Sequence, residues 1–217
     1  MSSAIILLSG GLDSLVALDM ISAKYDKIFA LFFNYGQKAY KEELTAVKNI
    51  AKRYNIEFEE IRLPYLENIA KNSLVDDDKT NFNDLKSVWV PNRNGLFLNI
   101  AASYCDSFEY DYIVFGANKE ESKSFDDNKI GFIETINSSF TYSTQKHPEV
   151  VAPCADMTKT DLVNYIIDAN LDFGLIKSCY QSIENTKKKH CAICMSCKLL
   201  YDAILNSKKP EIIKEIF

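Results

Sequence analysis

No apolar run in the sequence exceeds the six residues 28–33. A bilayer span needs roughly 20, so a membrane-spanning chain is excluded. Glycine (7) and proline (5) are too scarce for a long flexible linker or a collagen-like repeat. Basic residues do not dominate: 25 Lys and Arg face 30 Asp and Glu, a net charge of −5. That argues against a protein whose main task is gripping phosphate backbones, which takes a basic footprint. It leaves room for a small anion at one local site. Positive charge is also missing from the start of the chain, where Lys24 is the first cationic side chain. The apolar stretch 4–8 ends at Ser-Gly-Gly rather than at a cleavage site. The expectation is a soluble, cytoplasmic protein with no membrane and no direct nucleic-acid partner.

What is present suits a packed core. Of 217 residues, 47% are apolar and 12% aromatic, so disorder and coiled coil are excluded. The length predicts one large domain, or one with a small appendage. Along the chain, short β-branched runs alternate with helical spacing. Strands are predicted at residues 5–8, 28–34, 58–63, 112–116 and 150–153, the third nearer a sheet edge because its polar and apolar residues alternate. Helices are predicted from Leu12 through Met20 and at 42–54, 96–104, 132–140 and 162–169. Sustained βα alternation implies an α/β fold, a mostly parallel sheet with helices on both faces. Residues 72–86 read as a polar loop, with Asp76, Asp77 and Asp78 a solvated turn.

Ligands of open α/β sheets bind at the carboxyl ends of strands. The first such end carries Ser9-Gly10-Gly11-Leu12-Asp13-Ser14. Two glycines let backbone approach a ligand and turn its N–H groups inward, and the next helix aims its positive end there. Ser9 and Ser14 add hydroxyls, and Asp13 suits Mg²⁺ held against phosphate oxygens. No G-K-[ST] follows, so this is not the Walker pattern. Val90-Pro91-Asn92-Arg93-Asn94 precedes a helix, with Asn94 a candidate cap and Arg93 a two-pronged anion ligand. Thr158 and Asp161 have capping-box spacing, and Met157 with Leu162 fits a hydrophobic staple. Lys159 then opposes the helix dipole, a hint that an anion lies nearby.

Four of the six cysteines form C-x11-C-x2-C-x2-C at Cys179, Cys191, Cys194 and Cys197. Four thiolates suit tetrahedral zinc, and an iron–sulfur cluster is the competing occupant. Lys187, Lys188, Lys189 and His190 stand beside the set as charge-balancing neighbours rather than ligands. Cys105 and Cys154 read as core residues, and His147 as surface.

Ser-Gly-Gly-x-Asp-Ser after the first strand resembles the pyrophosphate loop of the N-type ATP pyrophosphatases. With Asn34-Tyr35-Gly36-Gln37, Val90-Pro91-x-Arg93-Asn94, Ser178-Cys179-Tyr180 and the terminal cysteines, the chain resembles the 7-cyano-7-deazaguanine synthase family from Ser9 to Cys197. The resemblance implies an adenine-nucleotide alpha hydrolase-like domain at 1–175 and a zinc-knuckle helical subdomain at 176–217. It implies a ligase turning 7-carboxy-7-deazaguanine and free ammonia into the nitrile with ATP, in queuosine biosynthesis. One structural zinc on the four cysteines and Mg²⁺ with ATP are implied as cofactors, and a homodimer is compatible. Asp13, Arg93 and Lys159 would be catalytic. Leu8, Ser9, Gly10, Gly11, Leu12, Asp13, Ser14, Asn34 and Tyr35 would bind ATP; Arg93, Asn118, Phe125 and Asp127 would bind the base. Three departures stand out: Asn92 where many members have glycine, Asp126 in place of a proline, and Gly116-Ala117-Asn118 only a partial match. A tRNA base thiolase with an iron–sulfur cluster, or a zinc-knuckle module that holds nucleotide without turnover, are the alternatives.

Overall fold

The structure, a computed structural model, describes residues 2–76, 85–182 and 190–217. Its five strands are β1 (Ser3–Leu7), β2 (Lys27–Asn34), β3 (Glu57–Arg62), β4 (Tyr112–Val114) and β5 (Glu149–Val151). All pair in parallel in the order β3-β2-β1-β4-β5. The helices are α1 (Leu12–Ser22), α2 (Tyr40–Tyr54), α3 (Pro64–Ile69), α4 (Arg93–Phe108), α5 (Glu121–Ser124), α6 (Ile130–Ser143), α7 (Lys159–Asp168), α8 (Met195–Leu205) and α9 (Ile213–Ile216).

Strand alternation divides the core into two layers. Ala4 and Ile6 of β1 face Leu15, Leu162 and Leu200, from α1, α7 and α8. Ile5 and Leu7 face Leu98 of α4 and Phe140 of α6. Both faces of the central strand are therefore covered, which is why β1 is buried at every position. Strand order reverses between β1 and β4, and that junction is where an α/β sheet opens a crevice.

Most predicted elements appear, with β3 at the sheet edge, and the differences have local causes. The last strand spans Glu149–Val151 rather than 150–153, because β4 offers three ladder residues and Pro153 has no N–H. Met20, expected on the buried stripe of α1, is 37% exposed. Pro64 opens an unforeseen helix, α3, from its first position. Within the polar stretch, Asn72 to Leu74 are buried, while Asp77 and Asp78 lie outside the described residues. Cys105 and Cys154 are fully buried and His147 is exposed, as expected. Among the described residues no helix is long and apolar enough to cross a membrane.

Candidate active site

The crevice at the β1–β4 junction is a cavity of about 240 Å³. Its floor is the loop after β1. Gly10 takes φ +79°, a left-handed conformation, and a Cβ there would meet the Ala46 Cβ at 2.9 Å. Gly11 sits at the N-cap of α1, and no side chain caps that helix. Ser9 Oγ accepts from the Gly11 amide (3.3 Å), and Ser14 Oγ donates to the Gly11 carbonyl (3.0 Å). The serines brace the turn, and the uncapped first-turn amides leave a positive helix end facing the cavity.

Asp13 is the centre of a buried charge cluster. Lys159 Nζ lies 2.6 Å from Asp13 Oδ2 and 2.9 Å from Glu121 Oε1. Asn118 Nδ2 donates to Asp13 Oδ1 (2.8 Å), and its own oxygen accepts from the Glu121 amide (3.0 Å). Lys159 is placed by the capping box: Thr158 accepts from Asp161 N at 3.0 Å, and Asp161 accepts from Thr158 N at 2.8 Å. A solvated lysine is ruled out, since Lys159 is 7% exposed. Burial alone would depress its pKa, but Asp13 and Glu121 hold it above the ordinary lysine value. Burial pushes the Asp13 carboxyl up against the pull of Lys159. Glu121 goes the other way: burial raises it, but the charge and hydrogen bond of Lys159, with Asn118 and Arg93, together hold it below the ordinary carboxylate value.

A second group lines the same cavity. Arg93 donates from Nη1 to Tyr35 Oη (3.2 Å) and lies over the Tyr35 and Phe97 rings, 5.6 and 6.0 Å from their centroids. Asp127 faces the same cavity; burial raises its carboxyl while Arg93 draws it down. Asn94 does not cap α4. The N-cap is Asn92 in the left-handed conformation, φ 53°, and Asn94 lies inside the helix, buried, accepting from Arg93 Nε at 3.3 Å. Asparagine tolerates that conformation better than most residues, so the cap forms at low cost.

Other predicted residues fall outside the wall. Asn34 Nδ2 donates to Glu60 Oε1 (2.9 Å) and Asn34 Oδ1 accepts from Gly36 N, closing the end of β2. Leu12 belongs to the core under α1, whereas Leu8 and Tyr35 do line the cavity. Phe125 lines it too, with its backbone pinned to Glu121 O (2.8 Å) and Asn128 N (3.1 Å).

Sequence reasoning missed Glu43, Glu121, Trp89 and Lys177, all of which line the cavity. Glu121 alone had a usable signal, three residues after Asn118 and past the end of β4. Lys177 is buried and its amide donates to Gly10 O at 2.8 Å, tying the cysteine segment to the first loop. Glu43 Oε2 accepts from Gln37 Nε2 (2.9 Å), and burial raises its pKa from 4.5 to about 7. Between those values the folded protein binds more protons than the unfolded one. The stability Glu43 contributes is therefore full below pH 4.5 and is lost as pH rises through about 7. Relative to the parent, Glu43→Gln is expected to gain on the order of 1–2 kcal/mol between about pH 5 and 8, discounted for the cavity-facing edge. Melting midpoints measured across that range check it, and a pH-independent difference would refute the assignment.

The four cysteines converge as their spacing predicted. Their Sγ atoms all lie within 4.8 Å of one another, Cys191 and Cys197 at 3.8 Å. The amides of Gln181 and Cys194 donate to Cys179 Sγ (3.4 Å) and Cys191 Sγ (3.3 Å), offsetting thiolate charge. The set fits one metal ion. His190, buried beside Phe217, meets Ser178 N at 3.3 Å and stays outside the four-sulfur set. Lys187, Lys188 and Lys189 lie outside the described residues. Ser178, Tyr180 and Ser196 of this knuckle reach the cavity, so the cysteine cluster supports part of its wall.

The model of a family described as queuosine biosynthesis protein QueC matches residues 3–207. A 7-cyano-7-deazaguanine synthase from Carboxydothermus hydrogenoformans is 39% identical over 209 residues, 91% of this chain and 95% of that protein. The NH3-dependent NAD synthetase from Campylobacter jejuni superposes with a TM-score of 0.51 at 17% identity, covering 81% of this chain and 67% of that one. The U34-tRNA thiolase NcsA from Methanococcus maripaludis, with its 4Fe-4S cluster, gives 0.53 at 14% identity over 100% and 74%. At such identities these two establish the shared adenine-nucleotide alpha hydrolase fold and nothing finer.

Proposed function

The chain belongs to the QueC family of queuosine biosynthesis proteins, and from that premise we propose that it makes 7-cyano-7-deazaguanine from the 7-carboxy acid, free ammonia and ATP. The carboxylate attacks the α-phosphate, pyrophosphate leaves, and ammonia displaces AMP from the acyl-adenylate to give an amide. A second ATP activates the amide oxygen in the same way, and loss of AMP leaves the nitrile. Each adenylation turns a poor oxygen leaving group into a good one. The observation that carries this reading is the meeting of Asp13 and Lys159, 2.6 Å apart, at the uncapped start of α1.

The amides after Gly10, together with Lys159, would stabilise charge growing on the departing pyrophosphate. Asp13 offers hard carboxylate oxygens of the kind Mg²⁺ takes, and the ion when bound would neutralise phosphate charge there. Tyr35 lines the cavity with its hydroxyl on Arg93, whereas Asn34 supports the strand end. We assign the knuckle one structural zinc. Sulfurs 3.8 Å apart are the edge of a tetrahedron with bonds near ~2.3 Å, whereas a four-iron cluster interposes iron and sulfide and spreads its cysteines further. The spacing therefore favours this reading over a thiolase. A reaction drawing on ATP suits the cytoplasm, and nothing in the site requires a nucleic acid.

Mass spectrometry of a mixture of acid, ATP, Mg²⁺ and ammonium tests the reading directly. The nitrile, AMP and pyrophosphate are expected. ADP and phosphate would overturn it, and no AMP with any candidate acid would leave a nucleotide-holding module.

Arg93 and Asp127 divide the acid between them. Asp127→Ala is expected to raise the KM for the acid by about 10- to 100-fold, the worth of one or two charge-assisted hydrogen bonds, with the KM for ATP little changed. Arg93→Ala should mainly depress kcat, since its charge serves where negative charge develops. Equal rises in both KM values on Asp127→Ala would show that the Asp126 departure has moved the base pocket.

A further inference from the structure

We propose that Trp89, with Phe125, forms the aromatic platform on which the planar base of the acid stacks. This rests on the deazaguanine reading above and deepens it, since it assigns the substrate's ring to a definite part of the wall. Trp89 is the sole tryptophan of the chain. It stands two residues before Pro91 and four before Arg93, and it lines the cavity together with Phe125, Asp127 and Arg93.

Trp89 is 38% exposed although its chain neighbours Val88 and Val90 are buried, at 6% and 3%. The backbone is tied down as well: Trp89 O accepts from Asn72 Nδ2 at 2.8 Å. A large ring held by a fixed backbone, yet left partly uncovered beside a cavity, is a surface on offer. Its partner is equally fixed. Phe125 is extended, φ −129° and ψ 117°, and the 3-10 turn that follows it carries Asp127. Phe125 is thus positioned through the Glu121 and Asn128 hydrogen bonds, without the proline that Asp126 replaces.

The two rings are near parallel, 14° apart in plane, with centroids 6.0 Å apart. Rings in full face-to-face contact would be separated by roughly 3.5 Å, so these are offset and part of each face is free. A heterocycle can lie on either free face. Stacking on an aromatic side chain is worth about 1–3 kcal/mol per base.

Two planar bases compete for this platform, the deazaguanine and the adenine of ATP. The edge chemistry favours the first. Asp127 is acceptor-only when ionised, and a guanine-type edge presents a ring N–H and an exocyclic amino group side by side, both donors. Adenine presents one amino donor next to a ring nitrogen whose lone pair would face the carboxylate. Asp13 and Lys159, which we assign to the phosphate end, line the same cavity.

Because Trp89 is the only indole, its fluorescence reads this position alone. Titration of the full-length protein with 7-carboxy-7-deazaguanine in the absence of ATP is expected to quench emission by half or more, saturating near the KM for the acid. ATP alone should leave it little changed. Trp89→Leu is expected to raise the KM for the acid by about 5- to 150-fold, the stacking range, while the KM for ATP stays within about twofold. Trp89→Phe should recover most of the loss, which a merely structural role for the indole would not produce. Quenching by ATP and not by the acid would assign the platform to adenine and overturn the proposal. Nitrile formation with no quenching and an unchanged KM in Trp89→Leu would overturn it too, with the reaction assignment standing. Saturable quenching by the acid without any nitrile would support the platform and sink the reaction.

Discussion

Asp13→Asn is expected to lower AMP and pyrophosphate release by about 1000-fold or more while the protein stays folded. Such a loss corresponds to about 4 kcal/mol of transition-state stabilisation, the scale of removing a preorganised charge from a water-poor site. Asparagine keeps the shape of the side chain and its oxygen can still accept from Asn118, now 2.8 Å away. What it loses is the negative charge that orders Lys159 and suits a divalent cation. Lys159 keeps Glu121 at 2.9 Å, so no charge is stranded without a partner. The melting midpoint should accordingly fall by only about 5 °C, or about 1–2 kcal/mol for a chain of this size. Thermal denaturation and AMP assays on one preparation separate the two effects. A variant that is folded and retains more than about a tenth of parental turnover would remove Asp13 from the chemistry.

Loss of the knuckle metal should be nearly as severe, by a different route. One zinc per chain is expected, and Cys194→Ser or a chelator in mild denaturant should release it. Binding to such sites supplies about 10–16 kcal/mol of folding free energy in isolated peptides, so the residues around the cysteines should unfold with its release. Tyr180 and Ser196 would leave the cavity wall, and Lys177 would lose its anchor on Gly10. Activity should therefore vanish together with the metal and return on adding zinc back. Elemental analysis decides the identity: iron in excess of zinc after anaerobic purification would reverse it. Full activity in the metal-free protein would show that the knuckle does not support the site.

Glu121 sharpens both expectations. It shares Lys159 with Asp13, its amide donates to Asn118 Oδ1, and Glu120 beside it carries the same side chain. Glu120 instead accepts from the Lys159 amide at 2.7 Å and steadies the start of α7. Two adjacent acids thus do different work because one side chain turns to the cavity and the other to a backbone.

What the sequence determined by itself was whatever depends on neighbours a few residues apart. The βα order follows from the spacing of apolar residues, and the turn after β1 from two adjacent glycines. The capping box needs only Thr158 and Asp161, and three of the four knuckle cysteines only the tight Cys-x-x-Cys spacing of residues 191–197. Each is decided by backbone geometry within a turn or two, so it is legible without knowing the fold. Asn92 marks where that local reading failed: a left-handed φ moved the cap two residues upstream of Asn94. Tertiary structure alone decided which distant side chains meet. Lys159 reaches Asp13 across 146 residues, and Trp89 lies against Phe125, because the sheet runs β3-β2-β1-β4-β5 and brings the ends of β1 and β4 side by side. Strand order is set by the burial of whole faces on both sides of the sheet. No short segment carries that information, so the charge cluster and the aromatic platform became visible only once the layers were packed.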